Sequence, residues 1–458
     1  MAESSRNLAY LGGLLQSVAD RGRSLIGLKS AAQQQGGEFF ALAEALLSGR
    51  GEASGVAIAR RILQTYAGQS AGQRLATLIG LAERFGPDLA AVGAAAGKFA
   101  ENPDVAQAAA LHNASEPRRQ ELIRRLNLAP GGTNALVAMR AELLAHRADH
   151  EALAALDADF VHLLSSWFNR GFLVLRRIDW STPANILEKI IRYEAVHEIA
   201  GWDDLRRRLD PPDRRLYAFF HPALVDEPLI FVEVALAGEM AAAIQPLLKS
   251  ERAPIAAGEA GAAIFYSISN AQTGLTGISF GNFLIKQVVE ELRRELPRLR
   301  TFATLSPAPG FAAWLRNQRA APASDLISAE ARRALALMDH PGWSEKAAAR
   351  EPVARALLPL AAHYFLHAKT ASGRPLDPVA RFHLGNGARL ERLNPFGDLS
   401  PKGLAQSHGL MVNYLYELDQ IERNHEALFT RGEIVASSAV RRLVKFKKNA
   451  PETPANQT

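Results

Sequence analysis

The 458-residue chain contains no cysteine. That absence removes disulfides, thiolate catalysis, Cys-ligated zinc and iron–sulfur clusters together, and it fits a reducing compartment. Long apolar runs are missing too: no uncharged stretch approaches the ~20 residues of a membrane span, which predicts no membrane partner. The opening MAESSRNLAYLGGLLQSVADRGRS lacks a basic start followed by a long apolar block, so it predicts no secretory signal. The closing APETPANQT is not a peroxisomal address. A cytoplasmic protein is therefore expected. Excess charge is small, at a formal +6. It suits an anionic small molecule but is too dispersed to predict a nucleic-acid partner. No H-E-x-x-H or comparable ligand spacing occurs, so no metal is predicted.

What is present fits a globular chain of two or three domains, 48% hydrophobic and 22% charged. Up to about Phe168, apolar residues recur at helical spacing in EFFALAEALL, VAIARRILQTY, RLATLIGLAERF, RQELIRRLNL and ALVAMRAELLAH. No repeat period is evident, which predicts a bundle rather than a solenoid. Thr133 or Asn134, behind Pro130-Gly131-Gly132, stands where an N-cap belongs. The polar residues here read as solvated faces, and assembly is the expected role. The boundaries fall at residues 1–165 for the helical domain, 166–448 for a second domain, which the family resemblance given below implies is catalytic, and 449–458 for a tail.

Near Trp167 β-branched and aromatic residues take over. Ser181-Thr182-Pro183 opens a helix in ANILEKIIRYEAV, with Pro in its first turn. RLYAFFH and PLIFVEVAL read as a hairpin whose second strand is buried. In AAIFYSIS both faces are largely apolar, as a central strand requires. Gly274, Gly277 and Gly281 then permit close backbone approach and positive φ. The amphipathic helix FLIKQVVEELRREL follows, with no acid in its first turn. Its free N–H groups would face a phosphate. The pattern is neither Walker A nor G-x-G-x-x-G, and the glycines alone fit equally well a turn that holds nothing. LRTFATL reads as the next strand, ending at Ser306-Pro307. Phe382-His383-Leu384 reads as a strand entering the Asn386-Gly387 turn. Read singly, Ser306 fits a turn and His383 a backbone-bonded strand histidine; His197 reads as structural, His221 as structural or as lining an acyl pocket, and His408, beside Gly409 in a turn, fits either role.

Several motifs in order, FYSISNAQTGLTGISFGNFLIK, TLSPAPGFAAWL, ARFHLGNGARLERLN, SHGLMVNYLY and upstream EKIIRYEAVH, resemble the malonyl-CoA decarboxylase family. The resemblance is strong from about Trp167 to Tyr416 and looser over the helical part. It implies an α+β chain, an N-terminal all-α bundle followed by a GNAT-like (acetyltransferase-fold) α/β catalytic domain. It further implies a carboxy-lyase of fatty acid metabolism, a homo-oligomer (dimer or tetramer), with malonyl-CoA as substrate and no separate cofactor. Carried over by motif, the pantetheine arm lies along Ala262–Ser269, which includes Tyr266 and Ser267. The pyrophosphate falls on Gly274–Asn282, which includes Gly274, Gly277, Ser279, Gly281 and Asn282. The catalytic serine and histidine fall on Ser306 and His383, with Tyr416 in support. Where relatives carry a glutamate in a V-E-L-G pattern, this chain has Ile278-Ser279-Phe280-Gly281. Rival expectations are an acyl-CoA-dependent N-acyltransferase and a non-catalytic acyl-CoA-binding protein.

Overall fold

A computed structural model describes residues 35–48, 52–278, 284–321 and 326–445. These residues divide into two compact units. The first holds the described residues up to Leu173, with His221–Val225 and residues 272–278. The second holds Val174–Phe220, Asp226–Ala271 and the described residues from 284 onward.

The first unit is helical: α1 (Gln35–Leu47), α2 (Glu52–Ala67), α3 (Ala71–Arg84), α4 (Leu89–Glu101), α5 (Val105–Ser115), α6 (Arg118–Asn127), α7 (Gly132–His146) and α8 (Ala152–Trp167). Ser70 and Gln73 close a capping box at the start of α3, and Asp88 and Asp104 cap α4 and α5. Leu78, Leu122, Leu136, Leu143, Phe160 and Leu164 are fully buried at helical spacing, which is the pattern a bundle core requires. The expected cap of α7 is corrected. Gly131, at φ +74°, caps it, and Thr133 instead bonds Asn127 at 2.7 Å. The turn from α6 is tight at Gly132, where a Cβ would run into the Leu126 carbonyl oxygen.

The second unit is built on β1 (Val174–Ile178), β2 (Arg214–Phe220), β3 (Pro228–Ala237), β4 (Ala262–Asn270), β5 (Thr301–Thr304), β6 (Ser306–Pro307), β7 (Arg389–Asn394) and β8 (Met411–Leu415). The strand order is β1-β2-β3-β4-β5-β8-β6, with β7 paired to β8. Pairing is antiparallel from β1 to β4, and β4–β5 is parallel. Between the strands come α9 (Ala184–Tyr193), α10 (Trp202–Leu209), α11 (Gln245–Leu248), α12 (Leu284–Glu295), α13 (Phe311–Ala320), α14 (Ala329–Ala336), α15 (Ala347–His367), α16 (Pro378–Gly385), α17 (Pro401–Ser407), α18 (Ile421–Arg431) and α19 (Ser438–Lys445). Ile186, Leu187 and Ile190 of α9 and Leu205 of α10 pack on Leu216, Ala218 and Phe231, so one sheet face is a dry core. Among the described residues no helix is long and apolar enough to cross a membrane.

One pairing detail positions the site. β4 has nine residues, yet it pairs with β5 only from Ala262 to Phe265. The Leu305 N–H still bonds the Phe265 carbonyl at 2.9 Å, and beyond it the two strands part. A mixed sheet whose parallel pair opens at one end fits the acetyltransferase-like architecture implied by the resemblance. Ser306 stands at the opening.

Candidate active site

Three elements converge beyond that point. Ser306 is held by β6, which pairs with Val412 of β8. Tyr416 follows β8 directly, and its N–H bonds the Phe302 carbonyl of β5 at 2.8 Å. His383 comes from α16, which corrects its expected place on a strand. Asp377 caps that helix, accepting the Val379 and Ala380 N–H groups at 2.9 Å each, and Pro378 occupies the first turn. The helix ends at Asn386, and Gly387 turns the chain at φ +81°.

The three side chains form one hydrogen-bonded row. Ser306 Oγ lies 3.0 Å from His383 Nε2, and His383 Nδ1 lies 2.9 Å from the Tyr416 hydroxyl. Ser306 also donates to Thr304 Oγ1 at 2.9 Å, and that oxygen accepts the Tyr414 N–H at 3.1 Å. A hydroxyl has one proton, so a Ser306 that donates to Thr304 must accept from His383 Nε2. Nδ1 of the neutral ring then accepts from Tyr416. The protons thus point one way, from Tyr416 through His383 and Ser306 to Thr304.

Electrostatics agree with that assignment. His383 is 3% exposed and Tyr416 1%. Burial pushes the His383 pKa down to about 3, so the ring is neutral at physiological pH. Burial also holds the Tyr416 phenol well above its usual range, so it keeps its proton to donate. The Tyr414 ring stacks on His383, with centroids 4.7 Å apart at 25°, and fixes its plane. The Tyr414 hydroxyl is buried with no partner among the described residues.

Asp377 joins two parts of this site. Besides capping α16, its carboxylate accepts the Gly310 N–H and the Tyr364 hydroxyl, the latter at 3.3 Å. The turn that begins at Ser306 and the helix that carries His383 are therefore tied to one carboxylate. A Cβ on Gly310 would come within 2.5 Å of the Tyr364 oxygen, which explains the glycine. Thr304, Tyr364, Asp377 and Tyr414 were not singled out from the sequence. Thr304 and Tyr414 stand two residues before Ser306 and Tyr416, so strand alternation was the available signal.

Of the residues expected along the CoA arm, Tyr266 and Ser267 lie on β4. The Tyr266 hydroxyl donates to Glu233 at 2.6 Å, and Ser267 donates to Glu194 at 2.7 Å, both in a buried network. Arg208 joins it at 3.3 Å from Glu233. Burial pushes the Glu233 carboxyl up to about 8 against the pull of Arg208. Gly274 has a packing reason: a Cβ there would run into the Val137 carbonyl, and the Gly274 carbonyl accepts from Arg140 at 2.7 Å. Gly277 takes φ +79° with open space around it. Ser279, Gly281 and Asn282 lie outside the described residues.

Of the remaining histidines, His221 is bonded to the Trp167 carbonyl and the Ala223 N–H at 3.1 Å each. His408 sits at φ +54° beyond α17. His197 is lowered to about 4 by burial, and its Nε2 has no partner among the described residues. No group of three His, Asp or Glu that could hold a metal occurs among the described residues.

Comparison with known proteins gives a consistent result. A family model described as the malonyl-CoA decarboxylase C-terminal domain matches residues 171–453, and its N-terminal counterpart matches residues 85–168. The solved malonyl-CoA decarboxylase from Rhodopseudomonas palustris is similar at 63% identity and a TM-score of 0.86, covering 89% of this chain and 99% of that one. The one from Agrobacterium vitis is similar at 58% identity and a TM-score of 0.84, with the same coverage of 89% and 99%. The curated mitochondrial malonyl-CoA decarboxylase of Anser anser anser is 36% identical over 425 residues, 84% of this chain and 83% of that protein.

Proposed function

The chain belongs to the malonyl-CoA decarboxylase family of carboxy-lyases, and we propose that Ser306, His383 and Tyr416 perform the conversion of malonyl-CoA to acetyl-CoA and CO2. Breaking the bond between C2 and the carboxylate releases CO2 and leaves its electron pair as the thioester enolate. The thioester carbonyl accepts that charge, so the reading needs no metal or organic cofactor. Ser306 turns its hydroxyl from Thr304 to the substrate oxygens and stabilises the growing oxyanion. One such donor is worth ~3–4 kcal/mol.

Protonation of C2 completes the reaction. In this reading Ser306 gives its proton to C2, His383 Nε2 replaces it, and Tyr416 reprotonates the ring at Nδ1. The resulting phenolate is costly where it is buried. A thioester enolate is a far stronger base, however, so the net transfer runs downhill, and solvent restores the Tyr416 proton between turnovers.

The observation that carries the reading is the one-way hydrogen-bonded row that runs from Tyr416 through His383 to Ser306, where β4 and β5 part, and on to Thr304. The test is CO2 release from malonyl-CoA without any amine acceptor. Wild-type protein should form acetyl-CoA and CO2, and Ser306→Ala and His383→Asn should each lose at least a hundredfold in kcat. Retention of wild-type turnover by both variants would sink the residue assignment. An intact thioester with the wild type would favour an acyltransferase. The same proposal takes the chain as a cytoplasmic homo-oligomer, which cell fractionation and light scattering test.

A further inference from the structure

A cavity of about 200 Å³ lies between α10, the first residue of β2 and the segment following α11. Arg207, Arg208, Arg214, Lys249 and Arg252 line it, with Asp204 as the acid among its lining residues. Behind the wall, Asp213 bonds Arg252 at 2.9 Å and Glu233 bonds Arg208 at 3.3 Å. Two carboxylates, Asp204 and Asp213, therefore face five cations, and positive charge is left over.

One donor in the wall is an orphan. The Arg208 side chain is 5% exposed. Its terminal nitrogens bond the His197 and Glu198 carbonyls, Asp204 and Glu233, while its Nε has no hydrogen-bond partner among the described residues. That nitrogen has no surface on the cavity, so an anion there would be held by the wall's excess positive charge rather than by Arg208 Nε. The cavity has room for a phosphate group rather than for a whole CoA. It is also set apart from Ser306 on the sheet. Arg214 pairs with Ala235 and Ala235 with Ile264, so β3 stands between the cavity and β4, while Ser306 lies beyond β5 on the far side.

We propose that this cavity is a second anion site, for inorganic phosphate or the phosphate end of a small phosphomonoester, occupied independently of the CoA thioester. The full-length chain is titrated with inorganic phosphate and, separately, glycerol 3-phosphate, by calorimetry and by thermal unfolding, with ionic strength held constant using NaCl. The expected result is saturable binding that raises the unfolding midpoint where chloride does not. The tighter of the two probes identifies the source of the phosphate. Arg207→Glu with Lys249→Glu, both at exposed positions, should weaken binding at least tenfold, and Lys249→Ala alone about threefold. Saturating CoA should leave phosphate affinity unchanged. Absence of saturable binding, undiminished affinity in both variants, or displacement by CoA would each overturn the proposal.

Discussion

Two polar clusters of the second unit are equally buried and oppositely made. In one, Ser306, His383, Tyr416 and Thr304 are joined by hydrogen bonds between neutral groups. In the other, Arg208 pairs with Asp204 and bonds Glu233, whose carboxyl burial raises to about 8, and the Tyr266 phenol donates to Glu233. An ion pair fixes its neighbours but has its charges already committed. A neutral row leaves its field open to a charge that arrives from outside, here the carboxylate and enolate of the substrate. Under the proposed mechanism, the difference gives the charged cluster the task of holding β3 and β4 together and the neutral one the chemistry.

The largest expected effect comes from breaking the charged cluster. Arg208→Met strips Asp204, Glu233 and the His197 and Glu198 carbonyls of their buried donor, and ~3–5 kcal/mol of stability should be lost in urea unfolding. A loss under about 1 kcal/mol would erase the contrast, although the neutral hydrogen bonds set that scale. Ser306→Ala should do the reverse. Its cost, ~3–4 kcal/mol, should fall on the activation barrier of CO2 release, while urea stability stays within about 1 kcal/mol of wild type.

Asp377→Ala lies between the two cases. Loss of the α16 cap should cost ~1–2 kcal/mol of stability. Because α16 carries His383, kcat should fall more than tenfold with KM nearly unchanged. Equal changes in kcat and KM would point to general loosening instead. The smallest effect is on the pH profile. With His383 held neutral down to about 3, log kcat/KM should show no imidazole inflection between pH 5.5 and 8. Stability should behave differently. Below the ordinary pKa of ~6.5 the unfolded histidine takes up a proton that the folded one refuses, so stability present above 6.5 is lost as pH falls toward 3. His383→Gln should make that decline shallower, and an unchanged slope would contradict a neutral buried ring.

Legibility followed how local each determinant is. Ser306 was found at a strand end because TFATLSP carries its own strand and its own stop. His383 was placed on the wrong element, since Phe-His-Leu before Asn-Gly imitates a hairpin. The contrary signal, Asp377-Pro378, was an N-cap followed by a first-turn proline. Gly274 shows another limit. Its close approach to the Val137 carbonyl was not readable in sequence, because that neighbour belongs to a distant helix. Glu233 could not be read at all: inside PLIFVEVAL it interrupts an apolar strand, and its partner Arg208 comes from a different element.

The direction of the proton row has a consequence for chemical labelling. Fluorophosphonates and similar warheads select serines whose proton is being withdrawn by a neighbouring lone pair. At Ser306 the imidazole presents its N–H instead, and the hydroxyl proton rests on Thr304. A probe screen for activated serines should pass over Ser306, and under the proposed mechanism an inhibitor would imitate the enolate rather than capture the alcohol.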